Sequence, residues 1–374
     1  MNQHADPWRD PRVAVAELPQ PRYPEDEGAT IRRALDRSGE LLGWADADAG
    51  PLGTVIPSGA RVVVKPNWVY HENHGPWGIA PLLTHDSLIR AVVESVLETD
   101  AAEVLVADAP LQSCDFDRLA EATRLHAWVE PLMAADPRFR GVRDLRRTVS
   151  VVEDGVRTAF EDRLPEDEFV LFDLGEHSLL EPITAGDEAF RVTRYDPRLL
   201  AERHRPGRHQ YLIGRAIVDA DVVINLPKLK THKKAGITCA LKNLIGINGN
   251  KEFLPHHRIG GSETGGDCYR GGSRAKLALE HAFDRLNMAP TPARALVWHR
   301  LARVVGKIAR FTAGDAEIEG AWIGNDTIWR TCLDLNRILL YGRSDGGLDD
   351  AIQRRVVHIV DAVIAGQGDG PLAP

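Results

Sequence analysis

Six lysines, Lys228, Lys230, Lys233, Lys234, Lys242 and Lys251, fall between Val222 and Lys251, and no aspartate or glutamate lies among them. The whole chain carries a net charge of -8, so this stretch is an island of positive charge in an acidic protein. Such an island attracts anions, and clustered ammonium groups bind phosphate or carboxylate more often than they form covalent intermediates. Lys228 and Lys230 are alternate residues of an extended segment and are expected to face one ligand together. Lys242 and Asn243 follow as further contacts. His232 sits inside the basic run, where neighbouring cations favour its neutral ring, the form required of a general base or a metal ligand.

Other groups with the right chemistry lie elsewhere. Asp108 ends a strand-like run and is the carboxylate expected to assist proton transfer or to bind a hard cation such as Mg²⁺. Lys65 and Asn67 end another such run and are expected at the ligand. His256 and Asp267 are the candidate metal ligands. His256 and His257 are adjacent, and neighbouring side chains diverge on regular structure, so one of the two is expected to face the site. His71, His74 and His85 form a softer donor set without diagnostic spacing. Asp326, Arg330 and Asp334 are four apart, which is the spacing of a salt-bridge ladder on one helix face. Trp329 beside Arg330 makes that arginine a candidate ligand contact as well. The cofactor is not identified by any motif; a divalent metal is the candidate.

These residues need elements to hold them. Asp219 to Pro227 reads as a β-branched buried strand closed by Pro227, with a basic loop after it and a helix from Gly236 to Ile245 whose N-terminus meets the loop. In open α/β sheets ligands lie at the carboxyl ends of strands, against helix N-termini. Arg12 to Leu18, Val62 to Val64 and Ala102 to Asp108 read as further strands. Apolar spacing predicts helices from Glu27 to Trp44 and after Thr84, which is placed to cap the second. Thr148 to Val152, Phe169 to Leu174 and Phe190 to Tyr195 are short strand-like runs among charged turns. Lys276 to Leu286, Ala293 to Phe311 and a segment capped by Asn325 or Asp326 read as helices, and Arg355 to Ala362 as a last strand or helix. Leu254 to Gly272 is long and glycine-rich, and its Gly260 to Gly272 part is expected to close over a ligand. Gly366, Gly368 and Gly370 mark a turn whose backbone can approach a ligand closely.

The expected fold is therefore α/β, a doubly wound and mostly parallel sheet with helices on both faces and a mixed β insertion. The expected divisions are residues 1–136, an α/β half; 137–210, the insertion; and 211–374, a second half with the basic loop. At 374 residues and 43% hydrophobic content the chain can bury a sizeable core. No run of eighteen apolar residues appears, and the stretch from Met1 to Asp10 lacks the form of a signal peptide, so a cytoplasmic location without a membrane partner is expected. Cys114, Cys239, Cys268 and Cys332 are dispersed, and no disulfide or cluster-type spacing joins them. Acidic charge, and lysines without interleaved aromatics, argue against nucleic acid.

Several of these pieces resemble the domain-of-unknown-function family 362. They are Val64-Lys-Pro-Asn-Trp-Val, Thr84-His-Asp-Ser-Leu, Val106-Ala-Asp-Ala-Pro, Asn225-Leu-Pro-Lys-Leu-Lys-Thr-His, Ala240-Leu-Lys-Asn-Leu-Ile-Gly and the segment from Asp361 to Pro371. The resemblance spans most of the chain and implies no single reaction. Some relatives carry an appended ferredoxin-like cysteine cluster that this sequence lacks. The opening strand, Thr-His, helix and strand are also similar to the N-terminal domain of lactate racemase-like proteins, an analogy of fold.

The expected function is a cytoplasmic enzyme acting on a small phosphorylated or carboxylated metabolite, metal-assisted, in specialised or polysaccharide metabolism. Isomerisation, redox chemistry and group transfer are all open. The other class is a non-catalytic binding or carrier module for a nucleotide-like or metal cofactor.

Overall fold

Valine and isoleucine runs decide the centre of the molecule. Five parallel strands form one sheet in the order Arg355–His358, Val222–Leu226, Arg61–Pro66, Glu103–Asp108 and Phe139–Asp144. A parallel sheet is covered on both faces, so its central strands carry continuous β-branched runs, Val62 to Val64 and Val222 to Ile224, rather than alternating ones. The structure is a computed structural model that describes residues 11–24, 26, 28–153, 156–315, 317–368, 370 and 372–373. Met1 to Asp10, and Asp369 and Pro371 of the C-terminal turn, lie outside the described residues.

The pleat sends successive residues to opposite faces. Val62, Val64, Val104, Val106, Val222 and Ile224 join one core with the helices Ala29–Leu42 and Asp86–Leu97, through Ile31, Leu35, Ile89, Val92 and Val96. Val63, Ala107 and Val223 join a second core with Ile328, Leu335, Ile338 and Leu339 of the helix Ile328–Tyr341. Each valine, leucine or isoleucine among them contributes roughly 1.5–3 kcal/mol relative to exposure. The fold is α/β with helices on both faces, as its periodicity predicts. The antiparallel pairs Thr148–Glu153 with Val156–Asp162, and Phe169–Asp173 with Arg208–Gly214, supply the mixed β structure. No helix among the described residues is long and apolar enough to cross a membrane.

Local differences have local causes. Arg12 to Leu18 forms no strand and joins no sheet among the described residues; Val13 and Val15 are 86% and 82% exposed, because neither edge of the main sheet takes the segment up. Thr84 does not cap its helix. Its buried hydroxyl accepts the Asn67 N–H at 2.8 Å and donates to the Leu226 carbonyl at 2.6 Å, joining two strand ends, while His85 Nδ1 accepts the Ser87 N–H as the cap. The basic stretch is no loop: Lys228–His232 is a strand, antiparallel to Gly236–Thr238 and parallel to Asp361–Gly366. Gly236, at φ 75°, turns the hairpin, and β-branched Ile237 and Thr238 extend it, so the helix starts at Ala240 and ends at Asn243 before a 3₁₀ turn to Ile247. Phe190 to Tyr195 keeps only Phe190–Arg191 as strand. Arg355 to Ala362 splits into two strands at Ile359 and Val360.

Asn325 does hold the start of its helix, accepting the N–H groups of Thr327 and Ile328 at 3.0 Å each. The ladder it was expected to begin has one rung, Asp326 with Arg330 at 3.2 Å. Asp334 points into the core instead, where it accepts bonds from the Ser178 hydroxyl, the Leu179 N–H and the Tyr211 hydroxyl. Removing that carboxylate strands three buried donors. Asp334→Ala is therefore expected to lower the unfolding free energy by about 3 kcal/mol in urea titration. A loss under about 1 kcal/mol, the surface value, would remove Asp334 from the determinants of the fold.

Candidate functional site

Parallel strands bring their carboxyl ends to one edge, and here that edge is polar. Lys65 is in register with Asn225, and Asn225 with His358. Asn243 Nδ2 donates to Asn225 Oδ1 at 2.7 Å and to the Pro66 carbonyl at 3.3 Å. Asn225 Nδ2 in turn meets the Ala240 carbonyl at 2.9 Å and His358 Nδ1 at 3.0 Å. Asn243, expected at the ligand, is thus a tie between the short helix and two strand ends. Asn67 is buried beside it with an Oδ1 that finds no partner.

Two lysines are neutralised within the fold. Lys65 Nζ is buried, 2.8 Å from Asp108 Oδ1 and 2.9 Å from the Pro66 carbonyl. Asp108 also accepts the Trp68 N–H at 2.7 Å and the Ala109 N–H at 2.9 Å. Burial pushes the Asp108 carboxyl up and the Lys65 ammonium down, and each partner opposes the other's shift. Gly246 lies against this pair: a Cβ there would fall 2.0 Å from Asp108 Oδ1 and 2.8 Å from Lys65 Nζ. Lys228 pairs with Asp361 at 3.2 Å and bonds the Tyr23 hydroxyl. Asp361 also accepts from Tyr23 at 2.5 Å and from the His85 N–H at 2.9 Å. Asp108 and Lys228, read in the sequence as a proton-transfer partner and an anion contact, therefore hold structure together.

The remaining cations converge differently. Lys230 is buried, donates to the Leu82 carbonyl at 2.6 Å, and is pushed well down by burial and by Lys242 and Lys228. The ladder with Asp361–Gly366 slips between Lys228 and Lys230, and the two ammonium groups have different hydrogen-bond partners. Lys251 is pushed down to about 7 by burial, with Lys242 and Lys65 adding to the shift and Asp108 opposing it. Lys234 bonds Thr193 Oγ1 at 2.8 Å and is also lowered by burial. Lys242 is half-buried and, among the described residues, has no hydrogen-bond or ion-pair partner. Its charge depresses Lys230, His232, Lys234, Lys251 and His256, so it stands at the centre of the cationic groups.

The two histidines of this cluster are neutral for the same reasons, burial first and the lysines next. Their tautomers differ. His232 Nδ1 accepts the N–H groups of Lys234 and Ala235, at 3.1 and 3.2 Å, so its proton is on Nε2. His256 Nδ1 lies 2.6 Å from the Leu254 carbonyl and must donate to it, which leaves a lone pair on Nε2. His232 is thus a neutral donor, and His256 is the ring able to accept a proton.

The other candidates are occupied. Asp267 accepts from the N–H groups of Arg258 and Asp326 and from Thr327 Oγ1, and lies 3.6 Å from Arg258 Nε. It ties the glycine-rich segment to the following helix and is not left to share a metal with His256. That segment is folded on itself: a Cβ on Gly261 would lie 1.9 Å from the Gly271 carbonyl oxygen. Arg330 bonds Asp326 and the Leu179 carbonyl and covers Trp329. His71 accepts the Asp115 N–H, His85 stacks on Tyr23, and His74 meets Tyr70 edge-on. Asn225, His358, Tyr23 and Asp361 were not singled out from the sequence as site residues. Only Asn225 carried a signal, a polar residue at the end of an apolar strand.

A family model described as "Domain of unknown function (DUF362)" matches residues 62–159 and 180–374. No curated protein sequence matches the chain. Among solved structures, a crystal structure of a protein from Thermotoga maritima, a structural genomics target, is similar at 12% identity and a TM-score of 0.30. The match covers 76% of this chain and 50% of that one.

The depressed lysines make stability depend on pH. Lys251 binds a proton less readily folded, at about 7, than unfolded, at about 10.4. Between those values the unfolded chain holds more protons, so stability rises with pH across that window. Lys251→Met is expected to flatten the rise measured by denaturant titration between pH 7 and about 9.5. An unchanged slope would show that Lys251 is not depressed.

Proposed function

Because the chain belongs to the domain-of-unknown-function family 362, whose name specifies no reaction, we propose a function from the site itself: proton transfer on a small phosphorylated or carboxylated metabolite, of the isomerisation type. Lys242 anchors the anion. His256 Nε2 removes a proton from a carbon next to a carbonyl, the electron pair moves onto the carbonyl oxygen, and the Nε2–H of His232 donates a hydrogen bond to that oxygen. Return of the proton from His256 to the neighbouring carbon, or to the opposite face of the same one, gives the isomer. A neutral imidazole is a better-matched donor to an enolate than an imidazolium, which would give up its proton outright.

The observation that carries this reading is Lys242, without a hydrogen-bond or ion-pair partner among the described residues, set among groups whose proton affinity it lowers. Buried ammonium groups repel one another, and a bound anion relieves that repulsion, so binding energy is concentrated where the reaction occurs. Lys65 and Lys228, with their own carboxylates, fix the frame around Lys230 and Lys251, whose proton affinity Lys242 lowers.

Inorganic phosphate is expected to raise the melting temperature of the wild-type chain, and Lys242→Met to abolish the rise. Small phosphorylated and carboxylated ketones and aldehydes, incubated with enzyme in D₂O, are expected to exchange an α-proton by NMR. His256→Ala should slow that exchange by about 10²-fold or more while keeping the phosphate-induced stabilisation. Stabilisation without exchange would leave the carrier reading. Exchange unaffected by His256→Ala would place the base elsewhere.

A further inference from the structure

His257, next to the histidine that joins the lysine cluster, belongs to a different group. One donor atom each from His257, Cys268 and Glu280 lie within 4.8 Å of one another. All three residues are buried, and they come from the two-residue strand His257–Arg258, the glycine-rich segment and the helix Arg274–Asn287. His257 Nδ1 lacks the partner a buried polar group ordinarily has, and the Cys268 thiol faces the Glu280 carboxylate as a hydrogen-bond donor. The remaining acceptor positions are oriented by backbone donors: Gly260 N–H to Glu280 Oε2 at 3.0 Å, and Glu319 N–H to Cys268 Sγ at 3.0 Å. Gly320 lies against the base of the His257 side chain, where a Cβ would sit 2.7 Å from His257 Cβ.

We propose that His257, Cys268 and Glu280 bind one divalent, thiolate-accepting ion of the Zn²⁺ class. Ligand atoms around such an ion stand about 3.5 Å apart, so a shift of about an ångström closes the three onto it. A thiolate and a carboxylate cancel the charge of the dication and the imidazole adds none, which removes the cost of burying it unpaired. Binding releases the thiol proton to solvent. N–H donors to the sulfur and the carboxylate orient the ligands, as supporting bonds do in metal sites. The ion would clamp the glycine-rich segment to the helix behind it. This reading is independent of the anion site: neither His232, His256 nor Lys242 is a ligand.

The test is titration of the full chain with Co²⁺ in place of Zn²⁺, followed by the thiolate-to-cobalt absorption band and by the melting temperature. One equivalent is expected to produce the band and raise the melting temperature. Cys268→Ser should abolish the band although Cys114, Cys239 and Cys332 remain. Glu280→Gln should weaken binding by more than the roughly 10- to 100-fold that loss of an outer partner costs. Absence of the band in the wild type, or its persistence in a folded Cys268→Ser chain, overturns the assignment. Should Cys268→Ser fail to fold, Glu280→Gln decides: unchanged affinity overturns it.

A second, unrelated feature is the helix Pro292–Ala313. Ala295, Ala302 and Ala309 bury one face, and Ala302 and Ala309 meet Leu279 and Ala282 of the preceding helix. Val297, Leu301, Val304, Ile308 and Phe311 recur every three or four residues on another face, and all are exposed, Phe311 at 90%. Arg294, Arg300, Arg303, Lys307 and Arg310 accompany them, and the helix has no acidic residue. From this charge pattern we infer that the helix lies in the surface of an anionic lipid membrane. An exposed apolar stripe beside cations is the form of an interfacial helix, and it needs no spanning segment. A second copy is disfavoured, since its helix would bring the same positive charge.

Flotation with vesicles of phosphatidylglycerol and phosphatidylcholine, against phosphatidylcholine alone, tests this. Binding is expected to the anionic vesicles, to fall with salt, and to be lost in the double variant Val304→Asp, Ile308→Asp at an unchanged melting temperature. Absence of binding, equal binding by the variant, or a concentration-dependent dimer that the variant abolishes would each overturn it.

Discussion

Burial of ammonium groups in excess of their carboxylates is the constraint on which this structure turns. A buried charge without a partner costs several kcal/mol and is tolerated only when the group is paired, hydrogen-bonded or able to lose its proton. The fold uses all three. Lys65 and Lys228 are paired with Asp108 and Asp361, Lys230 and Lys234 are bonded to uncharged oxygens, and Lys251 is depressed towards neutrality. Lys242 stands in the midst of them, its own ammonium pushed down by burial, and without a hydrogen-bond or ion-pair partner among the described residues.

The two ion pairs share a design. In each, one carboxylate takes the lysine and also one or two backbone N–H groups: those of Trp68 and Ala109, just past two strand ends, on Asp108, and that of the helix cap His85 on Asp361. Each pair therefore fixes where the chain turns as well as neutralising a charge. The first binds two adjacent strands of the main sheet. The second binds the lysine strand to the strand Asp361–Gly366 and, through Tyr23, to the N-terminal part of the chain. Loss of either would free a buried lysine and a chain end together, which is why these groups serve position better than proton transfer.

The sheet was legible because its code is short-range. Val62 to Val64 and Val222 to Ile224 are uninterrupted β-branched runs, and such runs have one destination in an α/β chain. The convergence of basic residues at strand ends was legible from the acid-free window around Lys228 to Lys251. What escaped was pairing at a distance. Asp361 and Tyr23 lie at opposite ends of the sequence, and nothing in their neighbours marks them as partners of Lys228. Asp334 has the spacing of a surface ladder and is buried, because Tyr211 and Ser178, remote in sequence, present donors to it. The basic run reads as a loop on charge alone, yet Gly236 with Ile237 and Thr238 turns it into a hairpin against a strand that the sequence places last.

Local backbone geometry then decides chemistry that residue type leaves open. His232 and His256 are both buried enough to be neutral, and by type either could accept a proton. At His232 the hairpin turn directs two N–H groups at Nδ1, which fixes the proton on Nε2. At His256 the chain bends so that the Leu254 carbonyl meets Nδ1, which fixes the proton there and leaves Nε2 bare. One ring thus becomes a donor and the other an acceptor without any difference in charge. The next residue, His257, pairs with the opposite strand through its backbone and turns its ring towards Cys268 and Glu280. Adjacent side chains on extended backbone point to opposite sides, so the chain that brings His256 beside the lysines turns His257 towards Cys268 and Glu280.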